Sequence, residues 1–114
     1  MKRGEIWLVD FDPAKGQEMA KKRPALILSS DGVGKLRLKV VVPITSWQPQ
    51  FADNPWMVLV SPTRQNGLSN DSAADTLQIQ SVAHERFVKQ YGTIEATVLS
   101  EILEAVAVVL EFPF

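Results

Sequence analysis

The sequence predicts an α+β domain built around a small, strongly curved antiparallel barrel, with short helices and one C-terminal amphipathic helix. Short runs of strand-forming residues alternate with turn signals through most of the chain. A single long stretch with helical periodicity follows them. The 114 residues suffice for one core but not for two, and 46% of them are apolar. We therefore expect one domain over residues 1–114.

Six strands are expected where β-branched, aromatic and aliphatic residues stand between turn signals. Pro24 keeps Arg23 out of helical geometry at the entrance of the second strand. An Asp-Gly turn at residues 31–34 joins that strand to the third as a hairpin, and Pro43 suggests an edge or a bulge near the end of the third. The expected strands cover residues 5–11, 25–29, 36–44, 56–60, 72–79 and 92–94.

Two helical segments are expected in the second half of the chain. Apolar residues recur at intervals of three and four over residues 97–110, while Glu101 and Glu104 fall on the other side. This pattern predicts an amphipathic helix that packs on the sheet. A shorter helical turn is expected at residues 84–86. The two longest loops are expected at residues 12–24 and 47–55.

Composition and the N-terminal residues narrow the cellular setting. The chain has no cysteine, which excludes disulfides and thiolate chemistry and favours a reducing compartment. Charged residues appear too early for a secretion signal, and the longest apolar run, residues 105–110, is too short to span a bilayer. We expect a soluble cytoplasmic protein that does not associate with a membrane.

The charge of the chain is unevenly distributed although its net value is only −1. Residues 1–39 hold nine Lys and Arg against five Asp and Glu, whereas residues 40–114 hold three against eight. A protein with one basic face and an otherwise acidic surface can bind one short polyanion. An ordinary solvated surface explains the same charges equally well.

Several kinds of active site are excluded by missing motifs. The chain lacks the phosphate-binding P-loop, the dinucleotide-binding glycine motif, the zinc-protease motif and the nucleophile elbow of serine hydrolases. It has one histidine, His84, so a two-histidine nuclease is excluded. Because His84 stands in a polar turn, a surface or capping role is expected for it. We expect no metal and no cofactor.

Two segments could carry chemistry. Residues 16–24 combine a glycine, which lets backbone and cations approach a phosphate, with Arg23 held before a proline at a strand entrance. Residues 43–46 place the hydroxyls of Thr45 and Ser46 at the end of a buried strand, beside a loop. Taken alone, each segment is explained as well by a solvated basic loop or an ordinary strand end.

Both segments belong to a longer series of short motifs in a fixed order. The series comprises Gly-Glu-Ile-Trp-Leu-Val-Asp-Phe-Asp-Pro at residues 4–13, Gly16 with Glu18, Lys-Arg-Pro-Ala-Leu-Ile-Leu-Ser at 22–29, Pro-Ile-Thr-Ser at 43–46, Gly-Leu at 67–68, Asp-Ser at 71–72, Gln-Ile at 78–79, Glu-Arg-Phe at 85–87 and Gly-Thr-Ile at 92–94. In this order they resemble the MazF/PemK family of endoribonuclease toxins. The resemblance covers nearly the whole chain.

The resemblance implies a fold, an activity and partners. The fold would be an SH3-like barrel with appended helices, assembled as a homodimer. The activity would be metal-independent cleavage of single-stranded RNA, with the RNA's own 2′-OH as nucleophile and a 2′,3′-cyclic phosphate and a 5′-OH as products. A cognate acidic antitoxin protein would silence the toxin.

The resemblance also assigns roles to residues of this chain. Arg23 and Thr45 match the catalytic pair of the family. Arg23 would hold the scissile phosphate and stabilise its developing charge, and Thr45 would donate a hydrogen bond to the same oxygen. The expected RNA-binding residues are Glu18, Lys22, Ser46 and Gln78. Gln80 departs from the pattern, because many relatives have an Arg there, and this puts RNA affinity or motif choice in question.

Two other functions remain open at this point. One is a toxin of the same fold that binds DNA gyrase without catalysis, and the other is a protein-binding barrel that has lost catalysis. The matches at Arg23 and Thr45 favour the nuclease.

The sequence also suggests where an antitoxin would bind. Aromatic residues of the second long loop, together with the basic N-terminal third, would suit both RNA and an acidic, partly disordered peptide. A core or dimer-interface position is an equally good explanation for at least one of them. These aromatic residues are Trp47, Phe51 and Trp56.

Overall fold

The computed structural model describes residues 1–33 and 35–113. The strands are β1 (Glu5–Asp10), β2 (Lys22–Ile27), β3 (Leu38–Ser46), β4 (Met57–Val60), β5 (Ser72–Asp75), β6 (Gln80–Ala83) and β7 (Phe87–Thr93). One α-helix, α1 (Ala96–Leu110), follows them, and three short 3-10 helices span Pro49–Asp53, Thr76–Gln78 and His84–Arg86. The α+β class expected from the sequence is confirmed. No helix within the described residues is long and apolar enough to cross a membrane.

The strands form one antiparallel sheet in the order β4-β5-β3-β2-β1-β7, and β6 also pairs with β3. Within the described part of the chain no ladder joins β4 to β7. The sheet therefore forms an open barrel rather than a closed one.

Pro43 lies in the centre of the sheet, so the expected edge position is wrong. Along one side of β3, residues 38–41 pair with β6 and residues 44–46 pair with β5, while β2 lies along the other side. Pro43 is fully buried between the two ladders. Because proline has no backbone N–H, it fits where a strand changes partner and a ladder bond is absent.

The expected fifth strand, residues 72–79, is correct only in its first half, and the strand that follows at residues 80–83 was not expected. β5 ends at Asp75, the 3-10 helix Thr76–Gln78 turns the chain, and β6 pairs with the other end of β3. Thr76 anchors this turn, because its backbone N–H and its hydroxyl both donate to the carbonyl of Trp56, at 3.1 and 2.7 Å. These contacts are long-range and leave no local signal in the sequence.

The other expected elements differ only in their ends. The short strand at residues 92–94 is the end of the longer β7, which follows the expected helical turn directly. The amphipathic helix and the antiparallel β2–β3 pair are confirmed. The turn expected at residues 31–34 lies partly outside the described residues, because Gly34 is not among them.

Two apolar clusters hold the sheet, one on each face, because successive side chains of a strand point to opposite faces. On β2, Leu26 belongs to the cluster under α1, together with Ile102 of that helix. Its neighbours Ala25 and Ile27 belong to the cluster on the other face, with Val82 of β6. All but Val82 are completely buried. The buried core thus holds β2, which carries Arg23 at its exposed end.

Candidate active site

A groove of about 560 Å³ opens at the end of β2 and β3. One wall is formed by Arg23 and Pro24 of β2 and by residues 44–46 of β3. The groove is also lined by the turn at residues 67–70 and by residues 89–91 of β7. The groove therefore collects residues from four distant parts of the sequence.

The groove exists because β2 and β3 part from each other. Their pairing runs from Ile27 opposite Val41 to Ala25 opposite Pro43. Beyond that point β2 continues with β1, whereas β3 turns to pair with β5. Continuing the same register places Arg23 opposite Thr45. The two expected catalytic residues thus lie at the point where the strands part, and both line the groove.

Arg23 has an unsatisfied donor at this opening. Its backbone lies opposite Val9 on β1 and it precedes Pro24, which keeps the segment extended. The Nε of the half-buried side chain is shielded from solvent and has no hydrogen-bond partner among the described residues. A buried donor without a partner is costly. Arg23 also lines the groove, where its guanidinium would donate charge-assisted hydrogen bonds to an anionic oxygen.

Thr45 and Ser46 are the hydroxyl residues at the end of β3. Thr45 is half-buried and lies opposite Ala73 of β5, so its backbone is held by a ladder. Ser46 is exposed and lies opposite Ser72. Both line the groove together with Arg23. The structure thus brings three of the six expected site residues together.

Gln78 lies elsewhere, against the loop at residues 12–21. Its Oε1 accepts a hydrogen bond from the backbone N–H of Met19 at 2.9 Å, and its Nε2 donates to the carbonyl of Gln17 at 2.8 Å. Glu18 is exposed in the same loop, and its Oε1 accepts from the backbone N–H of Lys15 at 2.7 Å. Gln78 and Glu18 border a separate hollow of about 480 Å³. Gln78 therefore braces the loop that leads to Arg23.

Lys22 and Gln80 also lie outside the groove. Lys22 is exposed and alternates with Arg23 along β2, so it points to the opposite face. Gln80 lines the hollows next to the 12–21 loop. The cation that the resemblance led us to expect at residue 80 would thus belong to a different surface from the one that holds Arg23.

Arg86 fixes the base of the same loop, and sequence reasoning missed it. Its Nη1 donates to the carbonyls of Asp10, at 3.0 Å, and Asp12. The carboxylate of Asp12 in turn accepts from the backbone N–H of Lys21 at 2.9 Å. Both ends of the loop are thereby tied together just before Arg23. The Glu-Arg-Phe motif drew attention to Arg86, but the neighbouring sequence does not show which carbonyl groups its side chain contacts.

The remaining lining of the groove depends on an interlock between two glycines. A Cβ on Gly67 would lie 2.1 Å from the carbonyl oxygen of Tyr91, and a Cβ on Gly92 would lie 2.2 Å from that of Gln65. Asn66, fully buried, accepts hydrogen bonds from the backbone N–H groups of residues 63 and 68 at 3.0 Å. The turn at residues 61–68 is thus locked against β7. Asn-Gly marks a turn in the sequence, but the backbone contact with β7 is tertiary.

The aromatic loop does not contribute to this groove. The rings of Trp47 and Phe51 pack edge to face at 5.8 Å, and both are half-buried, as is Trp56. None of the three lines the groove, whose aromatic residue is Tyr91. The binding of RNA or an antitoxin by these residues together with the basic segment stays a prediction.

His84 lies outside the groove, at the start of its 3-10 helix. Its ring packs edge to face against Phe87 at 6.4 Å, and its backbone N–H donates to the carbonyl of Arg37 at 3.0 Å. Among residues 1–33 and 35–113, no three His, Asp or Glu side chains come together in an arrangement that could hold a metal ion.

The fold and the groove define an α+β protein with an open, barrel-like sheet and a groove, lined by Arg23 and Thr45, where β2 and β3 part. The model of the PemK-like, MazF-like toxin family of type II toxin–antitoxin systems matches residues 2–110. The chain belongs to this family.

Individual relatives agree with this assignment over their full lengths. The chain is 38% identical over 117 residues to Endoribonuclease MazF9 of Mycobacterium tuberculosis, and the match covers 97% of each protein. Among solved structures it is similar to MazF from Deinococcus radiodurans, with a TM-score of 0.78 and 26% identity, over 97% of this chain and 96% of that one. It is also similar to a chain of the MazE-MazF structure from the same organism, with a TM-score of 0.73 and 25% identity, over 99% and 97%.

Proposed function

We propose that this chain is a cytoplasmic endoribonuclease toxin of a type II toxin–antitoxin system and that it cleaves single-stranded RNA without a metal ion. The observation that carries the proposal is that Arg23, Thr45 and Ser46 line the same open groove. Membership of the toxin family supports it, as do the full-length relatives named endoribonuclease.

The proposed chemistry is an internal transesterification. The 2′-oxygen of the RNA attacks the adjacent phosphorus and loses its proton, while the bond from phosphorus to the 5′-oxygen breaks and that oxygen is protonated. The products are a 2′,3′-cyclic phosphate and a 5′-OH. DNA has no 2′-OH and would stay intact.

Arg23 and Thr45 would act on the phosphate rather than on the nucleophile. As negative charge grows on the non-bridging oxygens, the guanidinium and the Oγ1–H donate hydrogen bonds to them. One such donor accelerates a reaction about 10²–10³-fold. A guanidinium keeps its proton in proteins, so the role of Arg23 is electrostatic.

The remaining expected site residues divide according to their positions. Ser46 lines the groove and would contact RNA directly. Glu18 and Gln78 would act through the loop at residues 12–21, which Gln78 holds by both ends of its amide. Lys22 would contribute a longer-range attraction from the opposite face. The toxin would be a homodimer and would bind an acidic cognate antitoxin; the similar MazE-MazF structure supports a protein partner.

The test is an incubation of the purified protein with long RNA, and with DNA of the same sequence, in buffer that contains EDTA. We expect cut RNA with 2′,3′-cyclic phosphate ends and intact DNA. Dependence on added Mg²⁺, or equal cleavage of DNA, would contradict the 2′-OH mechanism. A protein that leaves RNA intact but blocks gyrase supercoiling would be the gyrase-binding alternative, and one inert in both assays would be the binding barrel.

A further inference from the structure

Three consecutive residues of β7, Lys89, Gln90 and Tyr91, all line the groove. A regular strand cannot do this, because successive side chains point to opposite faces. The pairing with β1 shows how it happens here: Ile6 lies opposite Gly92, and the next residue, Trp7, lies opposite Gln90. Tyr91 is therefore the extra residue of a β-bulge. Bulges redirect side chains and are common beside active sites.

A second bulge lies three residues earlier in β7. Leu8 lies opposite Lys89 and Val9 lies opposite Phe87, which leaves Val88 as another extra residue. The segment Lys89–Tyr91 thus begins directly after one bulge and ends in the other, on an edge strand of the sheet. Two bulges in seven residues turn this segment toward the groove.

The bulged segment is held rigidly where it meets the groove. The half-buried Tyr91 packs against the cluster under α1. The backbone of Gly67 approaches the Tyr91 carbonyl so closely that no side chain fits between them. The ring of Tyr91 is thereby placed before any ligand arrives, so binding would not have to order it.

The chemistry of the segment suits a nucleotide. The exposed Lys89 has its Nζ 5.6 Å from the centre of the Tyr91 ring, so a cation stands next to an aromatic face. Gln90, which is exposed between them, offers an amide. Aromatic faces stack on bases of any sequence, and lysine pairs with phosphate.

We propose that Lys89 and Tyr91 form a nucleotide subsite in the groove that Arg23 also lines. Lys89 moves off the Tyr91 ring to bind a phosphate that flanks the scissile one, and the ring face that it leaves stacks on the neighbouring base. This rests on the proposed ribonuclease function. It places the second cation of the groove on β7, while Gln80, the residue that departs from its relatives, lies on a different surface.

The test uses Lys89→Gln with a matched control, Lys35→Gln, an equal change of charge at an exposed lysine outside the groove. The probe is a short, fluorescein-labelled, single-stranded 2′-O-methyl RNA of mixed sequence, which cannot be cleaved because its 2′-oxygens are blocked. We expect Lys89→Gln to raise Kd about fivefold or more and to reduce the slope of log Kd against log salt by about 0.7. The control should match the wild type.

Cleavage of unmodified RNA separates binding from chemistry. Lys89→Gln should raise KM and leave kcat within about twofold, since Lys89 does not touch the scissile phosphate. Tyr91→Phe should bind like the wild type, whereas Tyr91→Leu should lose about tenfold in affinity because the stacking face is gone. Melting curves identify a Leu variant that fails to fold, in which case the Lys89 variant decides.

The possible outcomes test the proposed subsite and the proposed ribonuclease function separately. Unchanged Kd and salt slope in Lys89→Gln, with a wild type that cuts RNA, would overturn the subsite and leave the ribonuclease intact. A fall in kcat at unchanged KM would also overturn it, because Lys89 would then act on the chemical step. A wild type that neither binds nor cuts RNA would overturn the proposed function itself.

Discussion

Arg23 is held by its surroundings more firmly than a surface arginine. Its backbone is paired with β1, the next residue is a proline, and the loop before it is tied by Arg86 and Asp12. Its Nε is buried yet has no partner among the residues that the structure describes. This combination of fixed position and free hydrogen-bonding capacity distinguishes it from Arg37, which is exposed and lies 3.4 Å from Glu85.

Replacing Arg23 by lysine tests whether geometry matters beyond charge. Lysine keeps the charge but lacks the planar, two-pronged donor arrangement that fits a phosphate. We expect Arg23→Lys to lose at least about tenfold in kcat, and Thr45→Val, which keeps the shape without the hydroxyl donor, to lose a similar factor. Cleavage rates and melting temperatures are measured together. Arg37→Lys is the matched control. Wild-type rates in both groove variants would leave these residues with a structural role only.

Asp75 is the one acidic residue among the described buried side chains, with 8% exposure, and its Oδ1 has no hydrogen-bond partner there. Burial raises the pKa of Asp75, and hydrogen bonds from the backbone N–H groups of Leu77 and Gln78 offset this only in part. An acid with a raised pKa in the folded state stabilises the protein below its unfolded pKa of about 3.9, and this contribution is lost as pH rises through the folded pKa.

Asp75→Asn should therefore stabilise the protein at neutral pH. Above the folded pKa the wild type keeps a buried charge, which the amide removes. At pH values below about 3.9 the wild-type carboxyl is itself neutral, and the two proteins should melt alike. Thermal melting across this range measures the difference, with the exposed Asp53→Asn as control. A variant that is less stable than the wild type at neutral pH would show that the charged carboxylate is used.

The turn at residues 61–68 and strand β7 behave as one structural element, because their backbones touch at Gly67 and Gly92. Gly67 has a φ of +71°, in the left-handed region, and it also has no room for a side chain. Gly16 has a similar φ of +57°, but no atom lies within 4 Å of its missing Cβ. A comparison of the two glycines therefore distinguishes the cost of a left-handed backbone from the cost of a steric clash.

Gly67→Ala should cost far more stability than Gly16→Ala. A left-handed alanine costs about 1–2 kcal/mol, which is the whole expected cost at Gly16. At Gly67 the added Cβ also forces the backbones apart, so about 2–5 kcal/mol is expected. Urea denaturation measures both. Equal losses at the two positions would mean that the turn can move away from β7 without cost.

Assignment of elements from the sequence succeeded where the signal was local. The periodicity of α1, the strand-forming runs of β1 to β4 and the helical turn at His84–Arg86 all reflect neighbouring residues. The assignment failed where a contact between residues far apart in the sequence determined the structure. Pro43 was consistent with a sheet edge until the two partners of β3 were known, and Thr76 ends β5 only because the Trp56 carbonyl is within reach.

At the scale of the whole molecule, the cations of the groove come from both parts of the unevenly charged chain. Arg23 comes from the basic N-terminal third and Lys89 from the acidic remainder, yet both line the same opening. A metal-independent nuclease has no off state within this groove, so control would come from a partner that fills it. An acidic, partly disordered antitoxin segment would meet the same cations as RNA and would gain order on binding.

We therefore expect the cognate antitoxin to compete with RNA. Its apparent Kd should rise when the toxin is saturated with uncleavable 2′-O-methyl RNA, and its binding should weaken as salt is added. Fluorescence anisotropy of a labelled antitoxin measures both effects. An antitoxin that binds the RNA-saturated toxin with unchanged Kd would act from a separate, allosteric site.

The sequence by itself determined the α+β class, the C-terminal helix, the family and the pairing of Arg23 with Thr45 as candidate residues. These rest on local periodicity and on motif order, which a chain carries whether or not it is folded. Only the tertiary structure decided that β2 and β3 part to form a groove and that Gln78 braces a loop. It alone also placed Lys89 and Tyr91 in the same groove as Arg23. Each of these depends on which distant strand lies alongside and on a bulge that adds one residue to a ladder, and strand partners are chosen by packing of the whole core.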